Sequence, residues 1–170
     1  MKSVLFLVLL SMGCKEWGQY SHFISPCHEP GGPPIGVHFA EDLNWPREIL
    51  DQSFATWQTV GIVFDRNIKP TSVYIEVLHD QEASELKWPQ GVQYGNLIKL
   101  NPSYFDSGTF AHELGHYLGI KHHEPQVEGC HLFNAVICPN MTEFTDLDLQ
   151  AIANNKTCDA VKAANAANHL

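Results

Sequence analysis

The chain is 170 residues long and carries a net charge of −9 at pH 7, from 10 Lys and Arg against 19 Asp and Glu. The few basic residues form no stripe, which argues against nucleic acid as a partner, and the acidity suits solubility outside a cell. A 44% hydrophobic composition supports one core and is too small for two domains. The first thirteen residues read as an export signal: Lys2, an apolar run from Val4 to Leu10, then small residues Ser11 and Gly13 before cleavage. Seven apolar residues do not span a bilayer. Cys14 follows directly, so two forms are expected: a secreted protein, or a surface lipoprotein anchored to the membrane through lipidated Cys14. Residues 14–34 form a leader, and residues 35–170 form the single domain.

Within the domain, 37–39, 62–64 and 72–78 read as strands, the last with Val73, Ile75 and Val77 alternating against Tyr74 and Glu76. Between the first two lies a helix over 44–60, with Asn44 as cap, Pro46 in the first turn, a stripe of Leu50, Phe54 and Trp57, and Gly61 as stop. Segments 90–94 and 97–100 form a further strand pair joined at Gly95-Asn96. Thr145-Asp146-Leu147-Asp148 is a capping-box pattern opening a final helix with Leu149, Ile152 and Ala153 as its apolar residues.

The chemistry concentrates in 112–122, which read H-E-L-G-H-Y-L-G-I-K-H. Residues four apart share one helix face, so His112 and His116 can bind one ion from successive turns. Glu113 lies about 100° around the helix, beside the metal, where a carboxylate can take a proton from an activated water. Gly119 permits the left-handed conformation that ends the helix and lets the chain double back, carrying His122 to the same ion. Three neutral imidazoles leave a tetrahedral ion its fourth position for water, the mark of a catalytic zinc. Phe110, Leu114, Tyr117 and Leu118 occupy the opposite face, so the helix over 109–118, capped by Asp106 or Ser107, should set one side in a core and the other on a cleft. A chance match to all five fixed positions in a chain of this composition is on the order of one in ten thousand.

This extended string, HExxHxxGxxH, resembles that of the metzincin clan of zinc endopeptidases, and the length and layout look most like a minimal matrixin-type catalytic domain. Phe54-Ala55-Thr56-Trp57-Gln58-Thr59-Val60 followed by Phe64 is similar to the first helix and second strand of matrixins. The resemblance covers about residues 35–155. It implies an α+β fold of metzincin (zincin) type: an upper subdomain to about residue 121 with a twisted, mixed five-stranded sheet and two helices, the active-site helix included, and a small lower subdomain, 122–170, with a third helix. It also implies a methionine turn beneath the zinc, for which two alignments stand open, one through Met141 and one with Ile137 in 135–139. The loop that holds a structural zinc and a calcium in matrixins is absent, which leaves calcium dependence open.

Removing Cys14 leaves Cys27, Cys130, Cys138 and Cys158, an even number with three possible pairings, and two disulfides are expected. The alternative for Cys27 is a latency thiolate on the zinc, as in matrixin propeptides. Asn140 and Asn155 head N-x-T sites, acceptors for glycans only in a eukaryotic secretory pathway. The other histidines have no motif spacing and are expected to be solvated or bonded locally, with His123 an alternative third ligand to His122.

The expectation is therefore a secreted or surface-anchored monomeric zinc endopeptidase, with His112, His116 and His122 on Zn2+ and Glu113 as general base. A protein or peptide substrate would lie antiparallel to an edge strand near 90–94. Two rivals remain: a zincin whose third ligand is a downstream acid such as Glu143, and an inactive surface binding module.

Overall fold

The computed structural model describes residues 27–40, 45–69, 71–86, 90–123, 128–134 and 141–155. The export signal, Cys14, Asn44, Ile137, Cys138, Asn140 and Cys158 lie outside them. The class is α+β, with a five-stranded mixed sheet and four helices among the described residues. In chain order the elements are β1 (Ile35–Phe39), α1 (Arg47–Gln58), β2 (Phe64–Asp65), β3 (Val73–Val77), α2 (Asp80–Glu85), β4 (Gly91–Tyr94), β5 (Leu97–Leu100), α3 (Ser107–Tyr117) and α4 (Asp146–Ala153). No helix among the described residues is long and apolar enough to cross a membrane.

The sheet order is β2-β1-β3-β5-β4, with every pair parallel except β4 on β5. The hairpin expected at Gly95-Asn96 is present, and Gly95 supplies the positive φ of 63° that its turn needs. β4 is thereby the outermost strand, on the side toward α3.

α1 begins one turn later than its sequence signals suggest. Pro46 occupies the cap position with extended ψ, and no side chain caps the helix there. Its end is as expected: Gly61 at φ 77° turns the chain, and Ile62 N–H bonds back to the Trp57 carbonyl. Because Ile62 is spent on that turn, β2 starts only at Phe64, not at 62. α2 was not legible. Its six residues, DQEASE, bury only Ala83 and offer no apolar period to read.

Between sheet and helices the core holds Trp57, Ile75, Ile98, Leu100, Phe110, Leu114, Tyr117, Leu132 and Phe133, all at or near zero exposure. Polar bonds lock α1 onto α3: Trp57 Nε1 donates to the Ala111 carbonyl at 2.9 Å, and Ser53 Oγ to the Ser107 carbonyl at 2.8 Å. α3 is therefore buried along both faces from Ser107 to Gly115, a correction to the one-sided helix that periodicity suggests. Gly115 makes that possible, because Phe133 fills the place where a Cβ would stand.

α4 corrects the sequence reading in a similar way. Its capping box is formed as expected, with the Thr145 hydroxyl accepting from Asp148 N–H and the Asp148 carboxylate accepting from Thr145 N–H. Leu149, however, is 41% exposed, while the acid Asp148 is fully buried. The bonds Asp148 makes across the fold turn its face of the helix inward. Asn155, just past the helix, donates its Nδ2 to the Leu118 carbonyl at 2.7 Å, which ties up the atom a glycan would use.

Cys27 and Cys130 are both disulfide-bonded. Cys27 is thus no free thiolate, and the latency reading of that residue falls.

Candidate metal centre

α3 presents His112 and His116 one turn apart because Asp106 starts it cleanly, its carboxylate accepting from Thr109 N–H at 2.8 Å. The helix closes at Leu118, and Gly119 at φ 89° reverses the chain, with Ile120 N–H bonding back to the Gly115 carbonyl. That reversal carries His122 back over the helix. The Nε2 atom of His122 lies 3.1 Å from Nε2 of His112 and 3.0 Å from Nε2 of His116.

Those three nitrogens cannot satisfy one another. Nδ1–H of His112 donates to the Leu132 carbonyl at 2.5 Å, and Nδ1–H of His116 donates to the Ile120 carbonyl at 2.7 Å. A carbonyl only accepts, so each of these rings is protonated at Nδ1 and, when neutral, exposes a lone pair at Nε2. His122 can donate to one of them at most. A cation at the centre removes the conflict. Tetrahedral zinc with Zn–N bonds of ~2.05 Å places its nitrogens about 3.3 Å apart, close to the observed separations. The three histidines can therefore hold a metal ion.

The electrostatics favour the neutral rings that metal ligation needs. Burial, reinforced by the neighbouring His116, drives the His112 pKa well below its ordinary value despite the Leu132 carbonyl. Burial and then His122 lower His116 to about 4, against the pull of the Ile120 carbonyl. His112 is buried, and His116 and His122 are half-buried, so the open side of the triangle is theirs.

Glu113 is fully buried. Its carboxylate packs against the first residue of β4: a Cβ on Gly91 would stand 2.8 Å from Oε1 and 2.8 Å from Cγ of Glu113. Glu113, next in sequence to His112, is thus wedged between its own helix and an edge strand of the sheet.

No family model, curated protein or solved structure matches this chain.

The alternative ligands are accounted for. His123 points away from the triangle and bonds through Nε2 to Asp148 Oδ1 at 2.9 Å. Glu143 is exposed and does not belong to the cluster. Met141 packs on the core with its backbone against Gly108, where a Cβ would meet Met141 N at 3.0 Å, one turn before His112.

Sequence reasoning missed Asp148, Leu132 and Phe133. Asp148 Oδ1 accepts from Phe133 N–H at 3.1 Å and Oδ2 from Leu132 N–H at 3.1 Å, in addition to His123 and the Thr145 hydroxyl at 2.7 Å. Burial alone would raise its pKa, but the Thr145 bonds, with His123 and Leu132, outweigh it and hold the carboxyl below its ordinary value. Phe133 lies against Trp57, Phe144, His112 and His123. The capping pattern signalled a bonded Asp148, but nothing in it pointed to residues 132 and 133.

Proposed function

We propose that the chain is a zinc-dependent endopeptidase of the metzincin type that it resembles, exported and acting on extended protein or peptide segments. The observation that carries this reading is the convergence of His122 Nε2 on the Nε2 atoms of His112 and His116, at 3.1 and 3.0 Å, with the buried Glu113 next in sequence to His112 and its carboxylate against an edge strand. A structural zinc site closes its coordination sphere with four protein ligands, whereas three imidazoles with a neighbouring acid suit a hydrolytic one.

His112, His116 and His122 would hold the ion through Nε2, and zinc bound there supplies a Lewis acid that polarises the scissile carbonyl and acidifies water toward ~7. Glu113 takes the proton from the attacking water and delivers it to the leaving amine, so that one carboxylate serves as base and then as acid. β4 offers its outer edge to an extended peptide as an added antiparallel strand, a mode that reads backbone first and side chains second. Gly91 sets the start of that strand against Glu113, so a peptide added to it would run past the proposed base.

The test is digestion of a peptide library by the purified protein with one equivalent of zinc, read by mass spectrometry. Cleavage that disappears with a chelator and returns with zinc is the expected result. Stoichiometric zinc binding with no cleavage of any peptide would make the chain a binding module and overturn the enzymatic reading.

A further inference from the structure

Asp148 lies in α4, 36 positions after His112, yet one peptide unit joins them. The Phe133 N–H donates to Asp148 Oδ1 at 3.1 Å, and on the other side of the same planar unit the Leu132 carbonyl accepts from His112 Nδ1–H at 2.5 Å. A trans peptide points its N–H and C=O in opposite directions, so the carboxylate, the peptide and the imidazole form one continuous line of hydrogen bonds. Charge on the carboxylate polarises the peptide, strengthens its carbonyl as an acceptor and makes the ring more basic at Nε2.

The same carboxylate holds the other arm of the ligand set. Oδ1 also accepts from the His123 ring at 2.9 Å, and His123 N–H donates to the Phe133 carbonyl at 2.8 Å, which fixes the backbone next to His122. Oδ2 is held by Leu132 N–H, Thr145 N–H and the Thr145 hydroxyl. Of these a capping box needs only the bond from Thr145 N–H, paired with Asp148 N–H donating to the Thr145 hydroxyl. The bonds to Leu132, Phe133 and His123 go beyond capping, and all three residues sit directly behind metal ligands.

We propose that Asp148 is a positioning residue for the metal centre: through the Leu132–Phe133 peptide it sets the tautomer and basicity of His112, and through His123 it fixes the approach of His122. This rests on the reading of the three histidines as metal ligands.

Zinc affinity, measured by chelator competition on the full chain, tests it in four proteins: wild type, Asp148→Asn, Thr145→Val, and Ile75→Ala. Ile75 is buried in β3 and makes none of these bonds, and its truncation controls for lost stability alone. Asp148→Asn removes the charge and turns a donor toward Leu132 or Phe133, so affinity should fall about 10- to 100-fold. Thr145→Val loosens one bond to Oδ2 and should cost about threefold or more by the same route. Ile75→Ala should lie within threefold of wild type. In the metal-free protein, ring nitrogen chemical shifts should show His112 as the Nδ1–H tautomer in wild type and as a mixture in Asp148→Asn. Affinity in Asp148→Asn equal to that of Ile75→Ala overturns the proposal, and Thr145→Val decides in the same way should the Asn variant not fold. Failure of the wild type to bind one equivalent of zinc is a different result, which removes the metal site itself and this role with it.

Discussion

Gly91 leaves the carboxylate of Glu113 its place only because it has no side chain: a single methyl group at residue 91 would stand 2.8 Å from Oε1. Two elements meet there with no room for adjustment, the start of edge strand β4 and the first turns of helix α3. Gly91→Ala should therefore displace the carboxylate by a fraction of an ångström without touching a histidine. Zinc should still bind at one equivalent while peptide turnover falls about 10- to 100-fold, since ~1 Å misplacements cost on that order. Unchanged turnover in a folded Gly91→Ala protein would show that Glu113 has no fixed role.

Glu113→Gln separates metal binding from chemistry. Glutamine keeps the size of the side chain and removes the base, so zinc should remain at one equivalent and turnover should drop by about 10²- to 10⁴-fold. His116→Ala should lose zinc and activity together. Metal analysis beside peptide cleavage on both variants distinguishes the roles, and near wild-type cleavage by Glu113→Gln would exclude it as the general base.

Gly115 carries a structural demand that the motif conceals. A Cβ there would lie 2.3 Å from Cε1 of Phe133 and 3.2 Å from Trp57. Gly115→Ala should destabilise the fold by about 1–3 kcal/mol through overpacking, and Phe133→Leu in the same chain should recover part of the loss. Thermal unfolding of the single and double variants measures both. An alanine variant as stable as wild type would mean that Phe133 moves aside freely.

Acid should destabilise the metal-free protein in a defined window. His116 has a folded pKa of about 4 against 6.5 for the free side chain, so between these values the unfolded chain binds more protons than the folded one. Stability must then fall as pH drops from about 6.5 to about 4, by about 3 kcal/mol for this residue, and level off below. His112, shifted in the same direction by burial, adds to the loss. Unfolding curves in chelator across pH 4 to 7.5 should show the slope in wild type and a shallower one in His116→Gln.

Reduction bears on the staples. With Cys27 and Cys130 both in disulfides, and each bond worth about 2 to 4 kcal/mol in a small domain, a reductant should lower the melting temperature by several degrees or more. Recovery of Cys27 and Cys130 as free thiols after oxidative folding would contradict this.

What local spacing can encode was legible in the residues themselves. His112 and His116 four apart, Gly119 free to adopt a positive φ, Asp106 and Thr145 as caps, and Gly95 in the hairpin turn each depend on a few neighbours along the chain, and each has the conformation that its neighbours dictate. The α+β class, implied by the resemblance that the 112–122 string carries, is the class observed. Tertiary structure alone decided which distant segments meet. It set Gly91 against Glu113, Phe133 into the notch of Gly115 and Asp148 behind the Leu132–Phe133 peptide, contacts between segments 15 or more positions apart that no helical or strand period records. It also reversed two patterns that periodicity supported, burying both faces of α3 and exposing Leu149 while drawing in Asp148. In both places long-range partners outweighed amphipathicity. Trp57 and Phe133 pack together over α3 at Gly115, and a carboxylate that gains five donors from three segments is more stable inside than in water.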